Sequence, residues 1–272
     1  NTVLDDNKKL CLNSGEMLQM SETMNMIFEV NDLSVASPAT VSRCGMVFME
    51  PSSLGLEPLI TSWLSGLPPA ILTNTCCQRK LRNMFDAFLM KSIALSRRFN
   101  KEPVPTTNSN VTQSLMRILD SFFQPFLARD GNPLHSRESL LLLEQGIEHL
   151  FIYALAWSVG ATTDLEGRMR FSNWLIGEVR CYGLNFPQDG LVYDFFYDQS
   201  KQEWVKWTFL VKKVEVATSH VAFNEIVVPT KDSIRTGCLL EYLVGNKTHV
   251  LLTGGTGTGK TTSVMQLLSG GG

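Results

Sequence analysis

Apolar residues at Leu81, Met84, Phe85, Phe88, Leu89 and Leu95 recur close to every 3.6 positions, which predicts a helix over residues 81–99. The same period returns over 111–127 and 139–157, so helices fill the middle of the chain. Between the first two, residues 101–110 carry Pro103 and Pro105 among polar neighbours and read as a loop. From Gly190 the period drops to two. Residues 191–197 and 203–211 flank Asp198-Gln199-Ser200-Lys201, the pattern of a β-hairpin. Its aromatic residues Tyr193, Phe195, Trp204 and Trp207 read as hairpin packing. A helix over 232–243 and a short strand over 249–253 follow. Near the start, residues 24–30 form an apolar run leaving through polar Asn31 and Asp32, the pattern of a buried strand. Residues 41–49 suggest a second extended piece, closed by Pro51. No repeat of 20–50 residues stands out.

Composition narrows the class. The chain has 272 residues, 44% hydrophobic and 18% charged, as globular domains do, and its length suits one to two domains. With 24 basic and 26 acidic residues the net charge is −2, which gives no electrostatic footprint for nucleic acid or an anionic membrane. The longest uncharged apolar stretch, residues 150–161, falls short of the roughly 20 residues of a membrane span and reads as a buried helix of a soluble protein. The first residues lack the basic and apolar regions of a secretory signal, and the missing initiator Met suggests a piece of a longer chain. Six cysteines without a C-x-x-C pair argue against zinc and for reduced thiols in the cytosol. N-x-T triplets at Asn110 and Asn246 are then chance matches. His135 and His149 read as surface or core residues, Trp157 and Trp174 as core.

One motif carries chemistry. Gly254-Gly255-Thr256-Gly257-Thr258-Gly259-Lys260-Thr261 fits G-x-x-x-x-G-K-[ST] between an apolar run and a helix-compatible stretch. Glycines let the backbone wrap and aim successive N–H groups at phosphate oxygens. The helix that follows adds its positive N-terminal end. Lys260 would neutralise β/γ-phosphate charge, and the Thr261 hydroxyl would ligate Mg²⁺. The bland alternative is a flexible glycine-rich loop. Hydrolysis also needs an acidic residue on a neighbouring strand and a group that orients water, normally downstream of the loop. The sequence stops at Ser269-Gly270-Gly271-Gly272, so this module is expected to be incomplete and the piece alone not a competent ATPase. Residues 28–32 then suit an earlier module better than this one.

Residues 25–47, which include Asn31-Asp32 and Ala36-Ser37-Pro38-Ala39-Thr40-Val41-Ser42-Arg43, closely resemble the second AAA+ module of dynein heavy chains. Residues 1–15 look like the segment after that module's Walker B strand. Ile226-Val227-Val228-Pro229-Thr230-Lys231-Asp232-Ser233-Ile234-Arg235 resembles the entry to the third module, whose Walker A position the P-loop holds. Residues 36–43 and 11–16 look more axonemal than cytoplasmic.

This resemblance implies an α/β fold of partial P-loop AAA+ modules with a helical lid and a β-hairpin insertion. It implies the end of one α/β core over 1–50, the lid over 51–185, and the hairpin with the start of the next module over 186–272. It implies a fragment of an ATP-driven, minus-end-directed microtubule motor of cilia and flagella. The cofactors implied are ATP or ADP with Mg²⁺. The implied partners are neighbouring AAA+ modules, microtubules, and light and intermediate chains. The implied location is the axonemal cytoskeleton. Arg43 looks like an arginine finger of the second module, a role suited to a permanently charged planar fork. Read alone, it is a surface or salt-bridge residue. Asn31 looks like a polar sensor. Val227, Val228 and Pro229 look like the segment that packs on adenine, or else an ordinary loop. Asp232 and Arg235 could equally be first-turn charges of the helix. The rival readings are a regulatory nucleotide-binding scaffold without turnover, an unrelated P-loop NTPase, and a piece inactive alone.

Overall fold

Side-chain caps that satisfy free N–H groups set six of the ten α-helix starts among the described residues. The computed structural model describes residues 3–4, 7–50, 54–127, 136–211 and 228–269. The chain divides into two units, Asn1–Gly55 and Leu56–Gly272.

In the first unit, strand β1 (Lys9–Cys11) pairs antiparallel with β2 (Met17–Gln19), with Leu10 opposite Leu18. Gly15, at φ 87°, makes the turn between them. The short helix α1 (Pro38–Ser42) starts at Ser37, whose side chain accepts from the Thr40 N–H. No described residue of this unit is buried. The strand expected over 24–30 does not form, and Ile27 is 95% exposed. A strand exists only by pairing, and β1–β2 is the single pairing among this unit's described residues. The extended piece expected over 41–49 is likewise corrected: its first two residues finish α1, and the rest joins no sheet.

The second unit is helical. It runs through α2 (Glu57–Ser65), α3 (Pro69–Leu72), α4 (Thr75–Met84), a π-helical turn (Phe85–Leu89) and α5 (Met90–Phe99). Then come α6 (Asn108–Phe123), α7 (Arg137–Ser158) and α8 (Leu165–Tyr182). Asn74 caps α4, accepting from the Cys76 and Cys77 N–H groups at 3.0 Å. Thr107 and Asn110 close a capping box on α6, which ends the expected loop at residue 107. Asp164 caps α8, and left-handed Gly183 at φ 94° ends it.

The core forms where α7 packs against α4 and α6. Phe85 meets Phe151 edge-on with ring centroids 5.0 Å apart, and Leu81, Leu115, Leu119, Leu143 and Ile147 are fully buried around them. Among the described residues, α7 is the one helix long and apolar enough to cross a membrane, and burial against these neighbours accounts for its apolar character. Polar ties fix the helices further. Arg82 on α4 holds Glu57 on α2 through two bonds of 2.5 and 2.9 Å, and Trp63 Nε1 donates to Asp120 on α6 at 2.9 Å.

The hairpin forms in shortened form, β3 (Phe195–Asp198) against β4 (Glu203–Lys206). Residues 192–194 and 207–210, expected within its strands, coil as 3₁₀ turns. Tyr193 therefore lies before the hairpin and donates to the Gly160 carbonyl at 2.6 Å. Tyr197 stacks flat on His149 of α7, with centroids 4.7 Å apart, and Trp204 meets both rings edge-on. His149 is thus a packing residue, Trp157 and Trp174 are half-buried against the core, and His135 lies outside the described residues.

Two predictions arise here. A Cβ on Gly160 would sit 2.5 Å from the buried Phe171 ring and 2.6 Å from Tyr193 Oη. Gly160→Ala should therefore destabilise the chain by about 1–3 kcal/mol, read from urea unfolding. Burial holds the His149 imidazole below its ordinary pKa, while Glu148 opposes that and Lys80 adds to it. The unfolded chain then binds the proton more readily, so stability is full above the ordinary histidine range and falls as pH drops through it. Melting temperature should decline from about pH 7.5 to 5.5, and the decline should shrink in His149→Phe.

Candidate functional site

The last described stretch builds a loop between two packed helices. Helix α9 (Lys231–Gly245) begins at Thr230, whose hydroxyl accepts from the Ser233 N–H at 3.1 Å. Val228 and Pro229 lead into it with Val228 exposed, and Val227 and Ile226 lie outside the described residues. Lys231 reaches Asp194 at 2.8 Å. Burial acts to raise the Asp194 carboxyl, but the Lys231 bond and the Leu191 N–H outweigh it and hold it below the usual carboxylate range. Arg235 pairs with Asp232 at 2.7 Å and lies over the Trp157 ring. The two charges expected in the first turn therefore pair with each other. The Lys231–Asp194 tie escaped the sequence because it joins residues 37 positions apart.

At its far end α9 closes with a Schellman pattern. Thr248 N–H bonds the Leu243 carbonyl, Lys247 N–H bonds the Val244 carbonyl, and Lys247 takes φ 54°. Asn246 hydrogen-bonds Gln124 beyond α6, and Tyr242 meets the Phe122 ring at 5.4 Å. The strand expected over 249–253 is absent: these residues pair with no strand among those described, and Leu251 is 79% exposed.

The glycine-rich loop then turns into α10 (Lys260–Leu268), which packs against α9. Gly254 at φ 156°, Gly257 at φ 78° and Gly259 at φ 79° take backbone conformations that L side chains rarely adopt. No side chain caps α10, and the residue before it is Gly259. The first N–H groups of a helix have no partner within it, and at α10 no side chain takes that place. Lys260 folds back over that loop. Its ammonium donates to the Gly254 carbonyl at 2.9 Å, the Gly255 carbonyl at 2.5 Å and Thr258 Oγ1 at 3.2 Å. Thr258 in turn donates to the Gly255 carbonyl at 2.9 Å. Thr256 and Thr261 lie on the exposed rim of the same turn. Left-handed glycines, uncapped N–H groups and one lysine make a donor set that fits a polyphosphate. Thr261, the second residue of α10, carries a hydroxyl oxygen of the kind that hard divalent cations accept.

Arg43 and Asn31 belong to the other unit. Arg43 follows α1, its N–H bonded to the Thr40 carbonyl at 3.3 Å. Asn31 precedes a turn in which Asp32 accepts from the Ser34 N–H at 2.9 Å. Both are exposed. Burial pushes the Cys77 thiol up to about 12, so that thiol stays protonated.

Comparison with known proteins gives the family to which these residues are similar. Residues 81–209 match the family model for the dynein heavy chain AAA lid domain, and residues 215–271 match that for the P-loop containing dynein motor region. The chain is 44% identical to dynein axonemal heavy chain 1 of Mus musculus and 43% identical to that of Homo sapiens, over 98% of its own length. It is 37% identical to dynein axonemal heavy chain 12 of Rattus norvegicus over the same share. It spans only 7% of the two heavy chain 1 relatives and 9% of the third.

Proposed function

We propose, because the chain belongs to the dynein heavy chain family as part of its axonemal-type motor region, that its P-loop binds ATP or ADP with Mg²⁺. The observation that carries this reading is the Lys260 ammonium folded onto the Gly254 and Gly255 carbonyls of a loop that turns through left-handed Gly257 and Gly259 into the uncapped start of α10. In this reading the N–H groups of the loop hold phosphate oxygens, and Lys260 releases loop carbonyls to neutralise phosphate charge. Thr261 holds the Mg²⁺, which spreads the remaining negative charge. Val227, Val228 and Pro229 line the base side of the nucleotide.

Residues 1–50 belong to the end of one AAA+ core, 51–185 to its lid, and 186–272 to the hairpin and the start of the next module. Arg43 reaches a nucleotide held by a neighbouring module, where a planar permanent charge stabilises the γ-phosphate as it leaves, and Asn31 acts as a polar sensor. In the whole protein these parts serve an ATP-driven motor on microtubules of the axoneme, with AAA+ modules, microtubules and accessory chains as partners. Calorimetric titration of the 272-residue chain with Mg-ADP and Mg-ATP tests the nucleotide reading. Saturable binding at one site is expected, and a folded chain that binds neither overturns it.

A further inference from the structure

Lys260 has three ammonium protons, and the loop engages all three, on the Gly254 carbonyl, the Gly255 carbonyl and Thr258 Oγ1. A phosphate oxygen therefore meets a saturated lysine and must displace at least one of these acceptors. The three differ. The two carbonyls belong to the backbone and every side-chain variant keeps them. The third is a side-chain hydroxyl, oriented by its own bond to the Gly255 carbonyl at 2.9 Å. Because that hydroxyl donates to Gly255, its lone pair is turned to the ammonium, and it acts as a latch on the lysine.

We propose that Thr258 is a positioning residue that sets nucleotide affinity by holding Lys260 folded back on the loop. This rests on the P-loop reading above. The Thr258–Gly255 bond lies within the loop and is compatible with either position of the lysine, so its loss largely cancels in an affinity. The Lys260–Thr258 bond belongs to the folded-back lysine alone, so its loss favours the phosphate-bound form. Valine matches threonine in shape and lacks the hydroxyl, whereas serine keeps it.

Thr258→Val should bind Mg-ADP about three- to tenfold more tightly than the parent chain, and Thr258→Ser should match the parent within about twofold. A second readout follows the lysine directly. In nitrogen-15 spectra without nucleotide, the Lys260 ammonium should exchange with solvent slowly in the parent and in Thr258→Ser, and faster in Thr258→Val. Circular dichroism confirms that each variant is folded. Equal or weaker binding by Thr258→Val, with the parent binding normally, overturns the latch and leaves the P-loop reading intact. Unchanged ammonium exchange in Thr258→Val overturns it as well. No binding by any folded variant overturns both readings together.

Discussion

Lys260→Ala should weaken Mg-ADP binding by the 272-residue chain about a hundredfold, close to 3 kcal/mol, while leaving its helical circular dichroism unchanged. Among the described residues, the lysine is the charged side chain that the loop gathers over its backbone, through bonds of 2.5–3.2 Å. A charge-assisted bond to phosphate is lost outright with it, and alanine offers no substitute. Folding should be spared, because Lys260 contacts only its own loop in these bonds and the core lies on α4, α6 and α7. Lys260→Arg separates charge from shape: a wide planar fork keeps the charge but cannot seat in a cradle formed around an ammonium. Full affinity in Lys260→Ala would remove the lysine from the nucleotide reading.

Arg43→Ala, made in the intact motor, should lower ATP turnover about a thousandfold with little change in nucleotide affinity. A finger acts on charge that develops as the γ-phosphate leaves, so its loss appears in turnover rather than in ground-state binding. Arg43→Lys should recover little, since a point charge does not reproduce a bidentate fork. Arg43 stands at the end of the five-residue helix α1, fixed by the Ser37 cap at 3.2 Å. Single-turnover measurements separate the two effects. Turnover unchanged in Arg43→Ala would return the residue to an ordinary surface role.

The sequence made the local features of this fold visible and hid the non-local ones. Helix α6 showed itself through a dense apolar stripe, while its Thr107 cap and first three residues read as loop. The hairpin was visible in its alternation and in the Asp198 turn, where the carboxylate accepts from the Ser200 N–H at 2.9 Å. Helix α8 was missed because its buried face includes Gly167 and Ser172 beside Phe171, Leu175 and Val179, which thins the apolar signal. Helices α2 and α3 begin with prolines in the first turn, which read as punctuation unless the following residues are weighed. The expected strands over 24–30 and 249–253 failed for a common reason. An apolar run favours extension, but pairing depends on residues elsewhere, and none of the described residues supplies it.

At the site, the glycine spacing made the loop legible, because glycine reaches φ 78° and 79° without a Cβ clash. The inward fold of Lys260 was not legible, since a motif specifies residue types and not the partners they choose. Arg43 and Asn31 carried no signal in periodicity or spacing, and family resemblance alone singled them out.

The seat of the hairpin on α7 bears on how the chain is made. A Cβ on Gly146 would lie 2.8 Å from the Tyr197 ring, so that helix face is shaped for a partner translated about 50 residues later. At roughly 5–20 residues per second, synthesis leaves α7 without this cover for several seconds. During that interval His149 and the bare backbone at Gly146 face the surroundings of the ribosome exit. The helical body thus reaches its finished packing only after β4 has emerged, and slow codons between residues 158 and 206 would lengthen its exposure to chaperones.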